Sequence, residues 1–135
     1  MIVPDSSVWI DYLNDRNTLS TARLDEAIEQ QDVIVADLVA LGVLRGIRLE
    51  RTFNQVLERL GAFPRVTLGG FPLAVETARR YRFLRAKGVT MRKGIDCILA
   101  TFCILEGHSI LQKDRDFTPF VENFGLVDAL ASKGE

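Results

Sequence analysis

The sequence predicts an α/β protein in which a parallel sheet is covered by helices on both faces. Short apolar runs that are typical of strands alternate with longer segments of helical periodicity along the chain. Apolar residues make up 47% of the 135 residues, which is enough to build a hydrophobic core. Because we find no linker, internal repeat or low-complexity segment, we expect one domain over residues 1–135.

The first half of the chain is predicted to alternate strands with pairs of helices. Ser6 or Ser7 is predicted to cap the first helix. The helix over 36–50 carries Gly42 and Gly46, although glycine costs about 0.5–1 kcal/mol relative to alanine in a helix. The predicted elements are a strand in 1–5, a helix from 6, a helix at 20–30, a strand at 32–36, and helices at 36–50 and 51–61.

The second half continues the alternation. Pro72 is predicted in the first turn of a helix over 71–88, and Gly88 and Gly107 are predicted to stop the two long helices. The predicted elements are a strand at 65–68, helices at 71–88 and 93–107, a strand at 109–114 and a possible last strand within 124–130.

Composition excludes several classes of protein. The net charge is −1 and no apolar run reaches the roughly 18–20 residues of a membrane span, so we expect no membrane partner. The start "MIVPD" lacks a basic region and a cleavage site, which favours a cytoplasmic location.

Cys97 and Cys103 would lie roughly 9 Å apart on one helix, which predicts free thiols rather than a disulfide. With His108 as the lone histidine, a zinc site is a poor interpretation.

Four aspartates follow predicted strands or begin a helix. Asp5 ends the first strand, Asp114 and Asp116 follow a later one, and Asp96 lies in the first turn of the 93–107 helix. Ligands of open α/β sheets bind beyond the carboxyl ends of the strands, so these acids are predicted to converge there. An all-oxygen cluster suits Mg²⁺ or Mn²⁺ and phosphodiester hydrolysis. The alternatives are a helix cap at Asp5, a helix-dipole partner at Asp96 and a solvated turn at 114–116.

A basic block lies between Arg79 and Lys93, with seven basic residues and no acid. Such a block in a nearly neutral protein can bind the backbone of a nucleic acid, with Arg85, Arg92 and Lys93 as candidates. The alternative is an exposed helix face whose acidic partners come from elsewhere in the chain.

Four segments together resemble the PIN-domain ribonucleases, and more narrowly VapC toxins of toxin–antitoxin pairs. They are "IVPDSSVWIDYL", "DLVALGVLRGIR", "IDCILATFCILEG" and "ILQKDRDF". The resemblance implies a three-layer α/β/α fold with about five parallel strands. It also implies a Mg²⁺- or Mn²⁺-dependent endoribonuclease that cuts RNA to inhibit translation. The implied partners are RNA, a second copy of the chain in a homodimer, a VapB-type antitoxin, and operator DNA bound only through that antitoxin.

The resemblance assigns roles residue by residue. Asp5 and Asp96 match the first and third acids and are expected to hold the metal, with Asp114 and Asp116 as further catalytic acids. Hydrogen-bond donors behind these acids are expected at Ser6, Ser7 and Thr101. Gly42 stands where the family has its second acid, a glutamate. Gly46 fits the family pattern, in which a small residue allows close helix packing.

Three explanations of Gly42 are open. It is a deliberate or selected change, because an active toxin kills its host. It is a natural loss that leaves a non-catalytic partner of antitoxin or RNA. Or three acids suffice. We favour the first, because glycine is a poor choice in a helix without a local reason, and we expect much reduced nuclease activity.

Overall fold

The computed structural model describes residues 1–132, so the last three residues of the predicted domain lie outside the described part. The α/β fold class is confirmed. The helices are α1 Ser6–Leu13, α2 Leu19–Glu29, α3 Asp37–Leu44, α4 Glu50–Gly61, α5 Phe71–Ala86, α6 Gly94–Glu106, α7 Thr118–Phe124 and α8 Ala129–Ser132. The strands are β1 Ile2–Pro4, β2 Val35–Ala36, β3 Arg65–Val66, β4 Ser109–Leu111 and β5 Val127–Asp128.

Within the described residues, all strand pairs are parallel. One sheet has the order β1-β4-β5, and β2 pairs with β3. A parallel bridge between Ile2 and Val33 joins the two sheets. The Ile2 N–H donates to the Asp32 carbonyl at 2.8 Å, and the Ile34 N–H donates to the Ile2 carbonyl at 3.0 Å. The strand order is therefore β3-β2-β1-β4-β5, with β1 in the centre.

Helices cover this sheet in two groups. Parallel crossovers are almost always right-handed, so the chain places helices on one face while it moves from β1 to β3 and on the other while it moves back. The observed contacts agree, since α1 packs on α2 and α3, α3 packs on α4, and α5 packs on α6. The core between the layers includes wholly buried Leu24, Leu84, Leu99, Ile110 and Phe120. This arrangement is the predicted three-layer α/β/α architecture.

Two predictions about helices were wrong. The helix predicted over 36–50 ends at Leu44, with Arg45 as its C-cap, so Gly46 lies in the turn before α4. Neither Ser6 nor Ser7 is the N-cap of α1, because Asp5 occupies that position. Helix α7 was not predicted, because its seven residues are too few to display helical periodicity.

Several local predictions were correct. Gly88 and Gly107 follow α5 and α6 with positive φ angles of 84° and 73°, which glycine adopts without strain. Cys97 and Cys103 are free and buried, and burial raises the pKa of their thiols to about 11 and about 12. Among residues 1–132, no helix is both long and apolar enough to cross a membrane.

Candidate active site

The four predicted aspartates line one cleft at the carboxyl edge of the sheet. Asp5 follows β1, Asp96 lies in the first turn of α6, and Asp114 and Asp116 lie in the connection after β4. The cleft, which we call the acid cleft, has a volume of about 370 Å³. Its other lining residues are Ser6, Ser7, Leu38, Val39, Leu41, Gly42, Arg45, Lys93, Gly94 and Ile95. The convergence predicted from strand ends is therefore observed.

Asp5 and Asp96 form the inner part of the acid cleft. Asp96 is 8% exposed and Asp5 is half-buried. Burial, reinforced by the Asp5 carboxylate, raises the pKa of Asp96 to about 6. Burial also raises the pKa of Asp5, while the Ser7 hydroxyl and Lys93 oppose that shift. Two carboxylates that share one buried space are expected to repel each other in this way.

Asp114 and Asp116 form the outer part, on an exposed connection. The Lys93 ammonium lies 4.0 Å from a carboxylate oxygen of Asp116. The carboxylate of Asp116 is one of the causes that raise the pKa of Asp5 and of Asp96. Asp116 therefore adds negative charge beside the two inner carboxylates.

The predicted supporting hydroxyls differ in what they do. Ser7 Oγ donates to Asp5 Oδ2 at 3.3 Å, so Ser7 supports an acid. Ser6 lines the acid cleft, and its Cβ and Oγ approach Gly42. Thr101 is buried and donates to the carbonyl of Cys97 at 2.7 Å, so its hydroxyl is occupied within α6.

The close helix approach predicted at Gly46 is found at Gly42 instead. A Cβ added at Gly42 would lie 3.1 Å from Ser6 Cβ and 3.2 Å from Ser6 Oγ, so α1 and α3 approach closely at that point. A Cβ added at Gly46 would have no described atom within 4 Å, beyond its chain neighbours. The close-packing explanation of Gly46 was therefore wrong. Gly42 has a local structural reason that the sequence did not reveal.

Asp37, an acid near the start of α3, does not add a carboxylate to the acid cleft. Its Oδ1 accepts hydrogen bonds from the N–H groups of Leu38 at 2.8 Å and of Leu68 at 2.9 Å. This carboxylate ties the start of α3 to the segment after β3, and it is not among the residues that line the acid cleft.

The predicted basic block divides between two environments. Arg92 and Lys93 line a second cleft of about 440 Å³, which shares Lys93, Asp96 and Asp116 with the acid cleft. Arg85 instead stacks on Tyr81, with 5.7 Å from guanidinium carbon to ring centroid. Arg79 and Arg80 pair with Glu76 at 3.2 and 3.3 Å, so part of the block is an ion-paired helix face.

Sequence reasoning missed two basic residues beside the acids. Arg45, three residues after Gly42, lines the acid cleft. Arg115, which lies between Asp114 and Asp116 in the sequence, lines the second cleft. The three-residue spacing from Gly42 to Arg45 is a signal that could have identified Arg45, because residues three apart share a helix face.

Oxygen ligands for a hard cation are present at Asp5 and Asp96. No cluster of three or more His, Cys, Asp or Glu side chains among residues 1–132 is arranged to hold a metal ion. Mg²⁺ fits such a site nonetheless, because it commonly binds through one or two carboxylates and keeps several waters. The mutual repulsion of the Asp5 and Asp96 carboxylates would be relieved by a cation between them.

Comparison with known proteins identifies the family. Residues 2–120, which include all four aspartates, match the PIN domain, and the chain belongs to the PIN-domain family. It is similar to VapC ribonuclease Mb1587 of Mycobacterium bovis and to Ribonuclease VapC11 of Mycobacterium tuberculosis. Each is 27% identical over 120 residues, which cover 87% of this chain and 89% of the relative. The resemblance to VapC-type PIN ribonucleases is confirmed.

Proposed function

We propose that this chain is the toxin of a VapBC-type pair, a Mg²⁺- or Mn²⁺-dependent endoribonuclease that inhibits translation by cutting RNA. The observation that carries the proposal is the acid cleft, in which Asp5, Asp96, Asp114 and Asp116 meet from three separate segments. Family membership and the names of the relatives support the same reaction class.

In this proposal Asp5 and Asp96 hold the metal ion. When bound, the ion supplies an activated water and stabilises the charge that develops at phosphorus. Ser7 orients the Asp5 carboxylate through its hydrogen bond. Lys93 lowers the pKa of Asp5 and Asp96, against the dominant effect of burial, and so favours their ionised forms.

RNA phosphates would lie on the basic residues that flank the acids. Arg45 lines the acid cleft on the side of α3, and Arg92 and Arg115 line the adjoining second cleft. Cationic side chains on both sides of a carboxylate cluster allow a single strand to cross it with its phosphates held. Arg85 is assigned no contact with RNA, because it does not line either cleft.

The missing second acid lowers activity in this proposal. Gly42 lines the acid cleft, where the family's glutamate would add a carboxylate. Loss of a general base or of a group that positions the metal typically costs about 10²–10⁴-fold in rate. The second candidate function is therefore a non-catalytic PIN protein that binds antitoxin or RNA, and the absent carboxylate is the observation that favours it.

Protein partners follow from the same proposal. An apolar groove of about 400 Å³ adjoins the acid cleft at Gly42 and is lined by Ile10, Val43, Ile47, Leu49 and Val56 among others. Apolar and acidic surfaces side by side suit a VapB-type antitoxin segment that carries both aliphatic and basic residues. Operator DNA would bind through the antitoxin. We also propose a homodimer, which light scattering of the isolated chain tests.

A matched pair of substitutions tests the function. Gly42→Glu adds the family's carboxylate, whereas Gly42→Ala adds only the Cβ that approaches Ser6. We expect Gly42→Glu to raise metal-dependent cleavage of a fluorogenic RNA by about 10²-fold or more and to arrest growth on expression. Gly42→Ala should do neither.

The other outcomes separate the two candidates. Equal cleavage by the unchanged chain and Gly42→Glu would remove the claim of weakened activity while keeping the nuclease. Binding of RNA or antitoxin without cleavage by any variant would favour the non-catalytic protein. Cleavage that persists in excess chelator would contradict the metal dependence.

A further inference from the structure

Two of the four aspartates lie on an exposed loop whose ends are firmly held. We call residues 112–117 the acid loop, since it carries Asp114 and Asp116. Its first residue, Gln112, is 6% exposed, and its last, Phe117, is wholly buried. The four residues between them are exposed. The position of the two acids therefore depends on how the ends are fixed.

The Gln112 side chain closes the acid loop on itself. The Phe117 N–H donates to Gln112 Oε1 at 3.1 Å, and Gln112 Nε2 donates to Asp128 Oδ2 at 3.3 Å. Ser20 Oγ donates to the Gln112 carbonyl at 2.8 Å. One buried amide thus ties the first residue of the loop to the last residue and to β5. Buried polar groups that are satisfied in this way rigidify the segment that they join.

A second contact, the ion pair between Lys113 and Asp11 of α1, also holds the loop. Lys113 Nζ lies 3.0 Å from Asp11 Oδ2, and Arg16 Nη1 lies 3.0 Å from Asp11 Oδ1. The Asp11 side chain is only 3% exposed. The cationic side chains that cover this carboxylate are themselves 42% exposed at Lys113 and 61% exposed at Arg16, so the pair links the loop to α1 at the protein surface. Lys113 directly precedes Asp114, and the pair therefore fixes the direction of the loop.

The two carboxylates of the acid loop lie near other negative charges. Asp114 and Asp116 line the acid cleft together with Asp5 and Asp96, so the outer carboxylates lie beside the inner ones. Without restraint, four carboxylates with no cation would move apart. The anchors at Gln112 and Lys113 oppose that movement.

We propose that Gln112 and the Asp11–Lys113 pair are positioning residues, which hold Asp114 and Asp116 at the acid cleft before metal or RNA arrives. This inference rests on the proposed nuclease function. Its physical basis is preorganisation, because a displacement of about 1 Å at a reacting group can cost roughly 10²-fold in rate. Supporting residues behind a metal site typically affect affinity or activity by about 10–100-fold.

Asp11 offers a matched comparison, because its two cationic partners lie at the same distance. Lys113→Met and Arg16→Met each remove one 3.0 Å contact and leave the other. We expect Lys113→Met to lower kcat for RNA cleavage by about tenfold or more and to speed hydrogen exchange of the loop amides. Arg16→Met should change neither, because Arg16 belongs to the segment between α1 and α2, and its described hydrogen bonds lead to Asp11 and Thr21 rather than to the loop.

A second pair of variants separates positioning from direct contact with RNA. Asp11→Asn keeps the Lys113 charge but weakens its anchor, and Gln112→Met removes the amide without changing charge. Positioning predicts that both variants lose kcat with little change in KM. If Lys113 instead contacts RNA, Lys113→Met would raise KM and Asp11→Asn would leave cleavage unchanged, which would overturn the proposal.

Binding of Mn²⁺ without RNA gives a readout that is independent of cleavage. Removal of the Lys113 charge would by itself tighten Mn²⁺ binding, because a nearby positive charge is lost. If Asp114 and Asp116 are displaced in Lys113→Met, this variant should bind Mn²⁺ more weakly than the unchanged chain. The electron paramagnetic resonance signal of free Mn²⁺ measures the binding. Tighter binding, or equal loop exchange in Lys113→Met and Arg16→Met, would overturn the positioning role. Absence of cleavage in every variant, including Gly42→Glu, would refute the nuclease and leave these two measurements to decide the positioning.

Discussion

Asp11 and Asp96 are two buried aspartates on helices of the same protein, and their surroundings are opposite. Asp11 is 2% exposed and has two basic partners at 3.0 Å. Asp96 is 8% exposed, and within residues 1–132 no basic nitrogen lies within ion-pair distance of it. The Lys113 ammonium holds the pKa of Asp11 below its usual range, whereas burial and Asp5 raise that of Asp96 to about 6.

This difference is the one expected between a structural carboxylate and a carboxylate of a functional site. The charge of Asp11 is neutralised inside the protein, so it joins α1 to the acid loop. The charge of Asp96 is left without a partner of its own, and a group with such a perturbed pKa in a cleft is typical of a functional site. A cation from solution would neutralise the charges of Asp5 and Asp96, as Lys113 and Arg16 neutralise that of Asp11.

The largest expected effects come from neutralising each aspartate in turn. Asp96→Asn should reduce RNA cleavage by about 10²–10⁴-fold and leave the free energy of unfolding unchanged or higher, because a repulsive charge is removed. Asp11→Asn should lower cleavage by a smaller factor and should lower the free energy of unfolding by about 1 kcal/mol, because the hydrogen bond from Arg16 and the ion pair with Lys113 are weakened. Urea denaturation and a fluorogenic RNA assay measure both.

Glu58→Gln, an exposed change on α4, controls for the loss of one negative charge. Equal losses of unfolding free energy in Asp11→Asn and Asp96→Asn would remove the distinction between the two carboxylates.

A smaller effect is expected on thermal stability when pH and metal concentration are varied together. The folded protein binds the Asp96 proton more tightly than the unfolded chain, whose pKa is near 3.8. Stability should therefore fall as pH rises from about 4 to about 6 and then level off. Mg²⁺ or Mn²⁺ should raise Tm at about pH 7.5 and have little effect at about pH 5, where the Asp96 proton competes with the metal.

Circular dichroism melts with metal or chelator check this dependence, and Asp96→Asn is the control that should lose most of the gain in Tm. The Asp11 contribution has the opposite sign, because it is lost only as pH falls below the usual range of an aspartate. An equal metal effect at both pH values would contradict the assignment of Asp96 as a ligand.

The smallest expected effect distinguishes the two glycines and tests how tightly the Asp5 end of α1 is packed. Gly46→Ala should stabilise the protein by about 0.4–1 kcal/mol, because the site is open and its φ is not positive. Gly42→Ala should gain less, because its Cβ must displace Ser6, the neighbour of Asp5. Equal gains in the free energy of unfolding, measured by chemical denaturation, would show that α1 can move away from the added Cβ without loss of stability.

Much of the site was predictable from local patterns. Asp5 and Asp114 were placed by the rule that ligands bind beyond the carboxyl ends of parallel strands, and both line the acid cleft. The end of the helix at Leu44 was not predictable in the same way, because apolar periodicity continues past it to Ile47. The packing role of Gly42 was not predicted, because it depends on the close approach of Ser6 on another helix.

The sequence by itself determined the alternation of strands and helices, the glycine stops after α5 and α6, and the chemical identity of the four acids. These features depend on turn chemistry and periodicity, which act within a few residues. Only the tertiary structure decided which carboxylates are neutralised and which glycine is crowded. Those outcomes depend on contacts between distant segments, such as Lys113 with Asp11 and Ser6 with Gly42. The free energy of such a contact exists only once the chain has folded and water has been excluded.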